Sequence, residues 1–250
     1  MYYWLVPQGA EFQSVVQGLK RSSLSGLAGS GDAGAADLLR VAPIALGANP
    51  VSDWLPPLLL RRPSVVVLWG LAGSLSPDLN VGDWVLSDEF HTLTGEIVQG
   101  DGAELQTLQT TLAQANSQAN AQPQKGAALT SDRVICQAAE KQTLAQIHPC
   151  TIVEMEGAIV AKTLAREQIP MVMIRVISDD LYRDLPDLGA ALQPNGTLNG
   201  FALAQCFAQN PVGAFHLVKG SLHALGQLKT IASLVASSYK IRGSGDTALG

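Results

Sequence analysis

The sequence predicts an α/β fold in one large domain. Residues 151–155 and 171–177 are apolar runs typical of buried strands, and a helical pattern over 157–168 joins them through short links. Strand, helix and strand in this order form a βαβ unit, so we expect the two strands to be parallel neighbours. The chain has 250 residues, of which 47% are hydrophobic, enough for a sizeable core.

The first elements alternate between strand and helix. Residues 2–6 form a short apolar strand that a Pro-Gln-Gly turn ends, and residues 11–20 follow as a helix. A second strand is predicted at 41–46, and a Gly-Ala-Asn-Pro turn ends it. The stretch 51–60 is predicted to be a helix, which its Pro-Pro pair distorts.

The next strand, 64–69, is a continuous Val and Leu run of the kind that is buried on both faces. The small residues that follow at 70–74 predict a loop whose backbone N–H groups approach a ligand closely. This loop is not a GxGxxG fingerprint and no clear helix follows it, so we expect no dinucleotide site.

The remaining elements are predicted from the same periodicity and turn signals. Further strands are predicted at 84–87, 91–99 and 125–130; helices at 103–115, 134–148, 200–209 and 213–239; and surface loops at 22–36, 114–124 and 180–199. We predict one domain over 1–239 and a flexible tail over 240–250.

Composition argues against several classes of protein. The net charge of −5 and the lack of any Lys/Arg run argue against a nucleic-acid partner. The apolar runs are too short for stable membrane insertion, and the N-terminus lacks the pattern of a secretory signal. Three widely spaced cysteines favour a reducing, cytoplasmic location, and the four scattered histidines predict no metal site.

Acidic residues mark the ends of both strands of the βαβ unit. Glu156 follows the first strand and Asp179 the second, at the sheet edge where open α/β sheets bind ligands. Arg175 lies inside an apolar strand and therefore needs an acidic partner. The candidates are Glu154, Glu156, Asp179 and Asp180. Each acid also has a plainer explanation, since Glu156 suits a helix N-terminus and Asp179 a turn.

Three segments resemble the signature segments of the nucleoside phosphorylase superfamily: Val153–Ala158, Arg175–Asp179, and Gly70–Gly73 continuing through Ser76–Asp83. Methylthioadenosine/S-adenosylhomocysteine nucleosidases are its best-matching catalytic members. The order and spacing agree over roughly residues 1–185. Beyond Asp180, the chain looks more like the hopanoid-associated phosphorylase branch.

This resemblance implies a twisted mixed central sheet flanked by helices in three α/β/α layers, assembled as a homo-oligomer. It also implies cleavage of the N-glycosidic bond of a purine-type, adenosine-derived nucleoside, without a cofactor. Asp179 would protonate the leaving base, and Glu11, Arg175 and Glu156 would position a water. The implied substrate-binding residues are Ala72, Gly73, Val134, Ile135, Met155, Glu156 and Ser178. Glu11 has an almost equally good explanation as a first-turn helix acid.

Departures from the family pattern favour water over phosphate as the attacking group. Leu68 stands where phosphorylases of the superfamily have a phosphate-binding arginine, and Leu71 where they have a small hydroxyl residue. Val134 stands where an aromatic ring often stacks on adenine. Phosphate stays an alternative co-substrate if Arg61, Arg62 or a subunit partner replaces the missing arginine. The alternatives are a catalytically weak nucleoside sensor or a phosphorylase of an adenosylhopane-type lipid nucleoside.

Overall fold

The computed structural model describes residues 1–22, 39–115, 123–189, 191, 193 and 199–245. Most of the predicted loops at 22–36 and 114–124, part of the predicted loop at 180–199, and positions 246–250 of the predicted tail lie outside these residues. Within them, the last helix continues to Gly245, past the predicted start of the tail.

The described residues form ten strands and seven α-helices. The strands are β1 (Tyr2–Pro7), β2 (Leu39–Ile44), β3 (Val65–Ser74), β4 (Trp84–Ser87), β5 (Glu89–Thr92), β6 (Ile97–Gln99), β7 (Gln124–Lys125), β8 (Ala128–Thr130), β9 (Ile152–Glu154) and β10 (Met171–Asp179). The helices are α1 (Ala10–Arg21), α2 (Leu55–Leu59), α3 (Gly102–Ala115), α4 (Ala138–Ile147), α5 (Gly157–Arg166), α6 (Gly200–Gln209) and α7 (Pro211–Gly245).

The sheet separates two apolar cores and gives the predicted three layers. Helices α1, α3 and α7 cover one face, where Val15, Leu108 and Leu228 pack around the rings of Trp4 and Trp69. The centroids of these two rings lie 4.5 Å apart. Helices α2 and α5 cover the other face. The α/β fold with a mixed sheet in one domain is therefore confirmed.

Strand β3 is the centre of the sheet and has two different partners along one edge. Its first residues pair in parallel with β1, as far as Leu5 opposite Leu68. Its last two pair antiparallel with β9, where Gly73 lies opposite Val153. Its other edge pairs in parallel with β10. The sheet therefore diverges between β1 and β9, and this divergence opens a hollow beside the C-terminal half of β3.

The prediction that β9 and β10 are parallel neighbours is wrong. Strand β3 lies between them, antiparallel to β9 and parallel to β10. The connection through α5 therefore passes over one strand rather than joining adjacent ones. Their acidic ends still meet, because Gly73 of β3 is flanked by Val153 on one side and Asp179 on the other.

Other differences are local. The predicted loop at 70–74 is the extended end of β3, paired with both β9 and β10. The predicted strand at 91–99 is a hairpin of β5 and β6. Helix α4 begins at Ala138, four positions after the prediction. No helix among the described residues combines the length and hydropathy that crossing a bilayer requires.

Candidate active site

A cavity of about 160 Å³ lies in the hollow where the sheet diverges. Nearly all of the predicted site residues line it: Glu11, Ala72, Gly73, Val134, Ile135, Met155, Glu156, Ser178 and Asp179. Arg175 is the exception, since its side chain is fully buried behind the cavity wall. The chain thus brings residues from α1, β3, β9, β10 and the segment before α4 around one space.

Glu11 fills the gap that the diverging strands leave in the sheet. It lies in the first turn of α1, and its Oε1 accepts a hydrogen bond of 2.6 Å from the backbone N–H of Leu71. Burial, helped by the negative charge of Glu156, raises the pKa of Glu11 to about 7. Arg175 and the Leu71 N–H oppose this rise. A carboxyl group with this pKa exchanges a proton readily near neutral pH.

Arg175 forms a buried cluster with two glutamates, as its position in an apolar strand requires. Its Nη2 donates to Glu154 and, over 2.7 Å, to Oε2 of Glu156. Its Nη1 donates to the carbonyl oxygen of Trp69 at 3.1 Å. Burial alone would lower the pKa of the guanidinium, but the surrounding carboxylates raise it above its ordinary value. Arg175 therefore stays charged and fixes Glu156 at the cavity wall.

Glu154 and Glu156 have different surroundings although they are two residues apart. Glu154 is saturated by structural contacts, since it accepts from Thr130 Oγ1 at 2.6 Å and from the backbone N–H groups of Glu156 and Gly157. Glu156 has one protein donor on each oxygen, Gly47 N at 2.8 Å and Arg175. A carboxylate oxygen accepts more than one hydrogen bond, so Glu156 can bind hydroxyl groups of a ligand.

Gly70 permits the close approach of β3 to this cluster. A Cβ atom on Gly70 would lie 1.8 Å from Nη1 of Arg175 and 2.9 Å from Oε1 of Glu11. No side chain can occupy that position without displacing one of the two. Glycine is therefore required here by space.

Asp179 lies at the other end of the cavity and is held at both oxygens. Its Oδ2 is 2.8 Å from Oγ of Ser178, which also contacts the carbonyl oxygen of Ala72. Its Oδ1 forms an ion pair with Nζ of Lys141. Lys141 is fully buried on α4 and also donates to the carbonyl oxygen of Asp180 at 2.9 Å.

Sequence reasoning missed Lys141, whose ammonium group contacts Asp179 directly. A signal was present in the sequence. Lys141 lies three residues after Ala138 and three before Leu144, on the apolar stripe of its helix. A lysine on such a stripe requires a buried acidic partner.

The matching family model carries the description phosphorylase superfamily, and it matches residues 49–193, more than half of the chain. The chain belongs to the phosphorylase superfamily. The resemblance of the three sequence segments is thereby confirmed.

Relatives within the phosphorylase superfamily include two 5′-methylthioadenosine/S-adenosylhomocysteine nucleosidases. The protein from Shewanella pealeana is 28% identical over 145 residues, which is 52% of this chain and 63% of the relative. The protein from Listeria monocytogenes serotype 4a is 28% identical over 135 residues, 47% of this chain and 58% of the relative. The match thus spans less than two thirds of either relative.

Solved structures of the same fold cover nearly the whole chain. The nucleosidase of Helicobacter pylori, in complex with butyl-thio-DADMe-Immucillin-A, superposes with a TM-score of 0.64 at 15% identity, covering 96% of this chain and 97% of that one. The futalosine hydrolase of the same organism gives 0.63 at 13% identity, with the same coverage. These likenesses establish the fold of this phosphorylase superfamily member.

Proposed function

We propose that the chain cleaves the N-glycosidic bond of a purine-type, adenosine-derived nucleoside and releases the base by attack of water. The observation that carries this proposal is the placement of Glu11, Glu156 and Asp179 around one cavity. The relatives support the substrate class, since those from Shewanella and Listeria are named for nucleosides of adenine.

Glu156 and Glu11 act at the sugar. Glu156 accepts hydrogen bonds from the ribose hydroxyls, and Arg175 and Gly47 hold its carboxylate in place. Its negative charge stabilises the oxocarbenium ion that develops as the bond breaks. Glu11, with its raised pKa, takes the proton of the attacking water.

Asp179 and Lys141 act at the base. The leaving base gains electrons as its bond to the sugar breaks, and a proton from the Lys141–Asp179 pair neutralises it. Ser178 orients the carboxylate through its contact with Oδ2. A positioned acid of this kind accelerates reactions by about 10²–10⁴-fold.

The charges around the cavity favour water over phosphate. Four carboxylates line it, those of Glu11, Glu154, Glu156 and Asp179. Arg133 is the single basic residue among the described lining, and it forms an ion pair with Glu140. A phosphate dianion in this cavity would face carboxylates without a free basic partner, and an unpaired buried charge costs several kcal/mol.

Replacement of Asp179 by Asn tests the proposal, because the shape of the side chain is kept and its acid is lost. We expect wild-type protein to release adenine from adenosine or methylthioadenosine without phosphate, and Asp179→Asn to be at least about 100-fold slower. Asp78→Asn, at an exposed position, is the matched control. Equal rates for Asp179→Asn and wild type, or release that depends on phosphate, would contradict the proposal.

A second candidate is a nucleoside-binding protein with weak activity. The Lys141–Asp179 ion pair favours it, because the ammonium group of Lys141 already occupies one oxygen of the carboxyl group that would act as the acid. A thermal-shift screen with nucleosides, followed by an assay for free base, separates the two functions. Stabilisation by adenosine without base release would identify the binding protein.

We also propose a cytoplasmic homo-oligomer. The family resemblance supports oligomerisation, and the three free cysteines, Cys136, Cys150 and Cys206, support a reducing compartment. A lipid-linked nucleoside as the substrate stays a prediction from the sequence. Light scattering tests the proposed homo-oligomer, and fractionation of the native host tests the cytoplasmic location.

A further inference from the structure

A second, larger cavity adjoins the nucleoside cavity. Its volume is about 610 Å³, and it lies between the segment before α4 and the chain that follows β10. Arg133 and Val134 line both cavities. The two spaces therefore meet at the position where the family often has an aromatic ring.

The second cavity lies at the Asp179 end of the site. Glu140, on its wall, precedes Lys141 on α4, and Lys141 pairs with Asp179. The carbonyl oxygen of Cys136, on the same wall, accepts a hydrogen bond of 2.7 Å from the backbone N–H of Leu185. Glu11, Glu156 and Asp179 line only the smaller cavity. A nucleoside with its sugar at Glu156 and its base at Asp179 therefore points its base toward the larger space.

The volumes indicate that the smaller cavity does not hold the whole substrate. Cavities that enclose small-molecule ligands typically measure about 300–1,000 Å³, and the smaller one measures 160 Å³. The larger cavity falls within that range by itself.

We propose that the larger cavity binds a substituent on the base, so that the protein accepts purine nucleosides enlarged at the exocyclic 6-position. The inference rests on the proposed function, in which Asp179 faces the ring nitrogen that receives the proton. In a purine, the 6-substituent lies on the same edge as N7, the nitrogen of the five-membered ring that is free to accept a proton.

The walls of the larger cavity are held in place and carry negative charge. Asp184 accepts from the backbone N–H of Ala138 at 2.8 Å, and Asp187 from that of Gly189 at 2.9 Å. Leu185 and Leu188 supply apolar surface. The basic residue among its lining, Arg133, is paired with Glu140. The substituent is therefore neutral or cationic, and an anionic one is disfavoured.

The test compares adenosine with N6-benzyladenosine in two assays, calorimetric binding and release of the free base. We expect wild-type protein to process N6-benzyladenosine with a kcat/KM within threefold of that for adenosine, or higher. Leu188→Trp, which fills the larger cavity, is expected to lower the ratio of the two kcat/KM values at least tenfold. Leu60→Trp, at an exposed position, leaves the ratio unchanged. If Leu188→Trp does not fold, Gln137→Trp on the same wall replaces it.

The outcomes separate this inference from the proposed function. Cleavage of adenosine together with rejection of N6-benzyladenosine by more than 30-fold overturns the inference and leaves the function standing. Without cleavage of either compound, binding decides: tighter binding of N6-benzyladenosine that Leu188→Trp abolishes supports the inference while the proposed reaction fails. Binding of neither compound overturns both.

Discussion

At the scale of single residues, the hydrogen-bond and ion-pair partners of each charged group determine what it can do. Glu154 and Glu156 both border the cavity, but Glu154 is saturated by backbone and side-chain donors, whereas Glu156 has one protein donor on each oxygen. The need for a buried partner for Arg175 was predictable from its apolar strand, and that prediction is confirmed by its pairs with both glutamates. Lys141 was not predicted as part of the site, because its partner Asp179 lies 38 residues further along the chain and local pattern does not pair the two.

Lys141 is expected to hold Asp179 in position and to place a positive charge beside its carboxyl group. Lys141→Met should lower kcat about 10–100-fold with less than a threefold change in KM, because the acid is disturbed and the sugar contacts are kept. Lys141→Arg should restore part of kcat, since it keeps the positive charge. Steady-state kinetics with adenosine as substrate measure both values. If Lys141→Met lowers the melting temperature but leaves kcat unchanged, Lys141 has a purely structural role.

The protonation of Glu11 is expected to determine how kcat/KM falls at acidic pH. A base must be deprotonated to accept a proton, so kcat/KM should rise with pH and level off above about 7, the pKa to which burial raises Glu11. The measured value belongs to Glu11 and Glu156 together, because their charges interact. Glu11→Gln should lower kcat/KM about 10²–10⁴-fold, whereas Glu167→Gln, at an exposed position, should not. A profile that is flat from pH 5.5 to 8 would exclude Glu11 as the base.

At the scale of elements, β3 determines where the site forms. The positions of most strands and helices were predictable from periodicity, but the partners of β3 were not. Strand β9 has three residues, and its pairing with Gly73 and Ser74 depends on contacts about 80 residues apart in the chain. Local pattern carries no information on such a pairing, so the hollow between β1 and β9 could not be foreseen.

Gly70→Ala tests whether β3 must approach the charged cluster this closely. The new Cβ would overlap with Arg175 and crowd Glu11. We expect a loss of stability of about 1–3 kcal/mol and a large loss of activity, because both side chains are displaced. Gly226→Ala is the matched control, since a Cβ on that helical glycine meets nothing within 4 Å. Chemical denaturation and the adenine-release assay measure the two effects. A Gly70→Ala protein as stable and active as wild type would show that the cluster tolerates displacement.

At the scale of the whole molecule, the sheet forms two cores and leaves a charged site where its strands diverge. The class of fold follows from the alternation of elements and from the apolar content, and both were visible in the sequence. The electrostatic cost of the site was not visible, because it depends on carboxylates from α1 and from the end of β9 being buried together. Because folding buries these carboxylates, their electrostatic cost lowers the free energy of unfolding of the entire chain.

The stability of the protein is therefore expected to fall as pH rises from about 4.5 to about 7. Between these values the folded chain keeps a proton on Glu11, whose pKa burial raises to about 7, while the unfolded chain has released it. The unfolded state then binds fewer protons, so raising the pH favours unfolding. Replacement of Glu11 by Gln removes this dependence, and we expect the difference between wild type and Glu11→Gln to grow by roughly 1–3 kcal/mol from pH 5 to pH 8. Urea denaturation of both proteins at the two pH values measures it. Identical pH dependence in the two proteins would mean that Glu11 titrates normally in the folded state, which would also remove its role as the base.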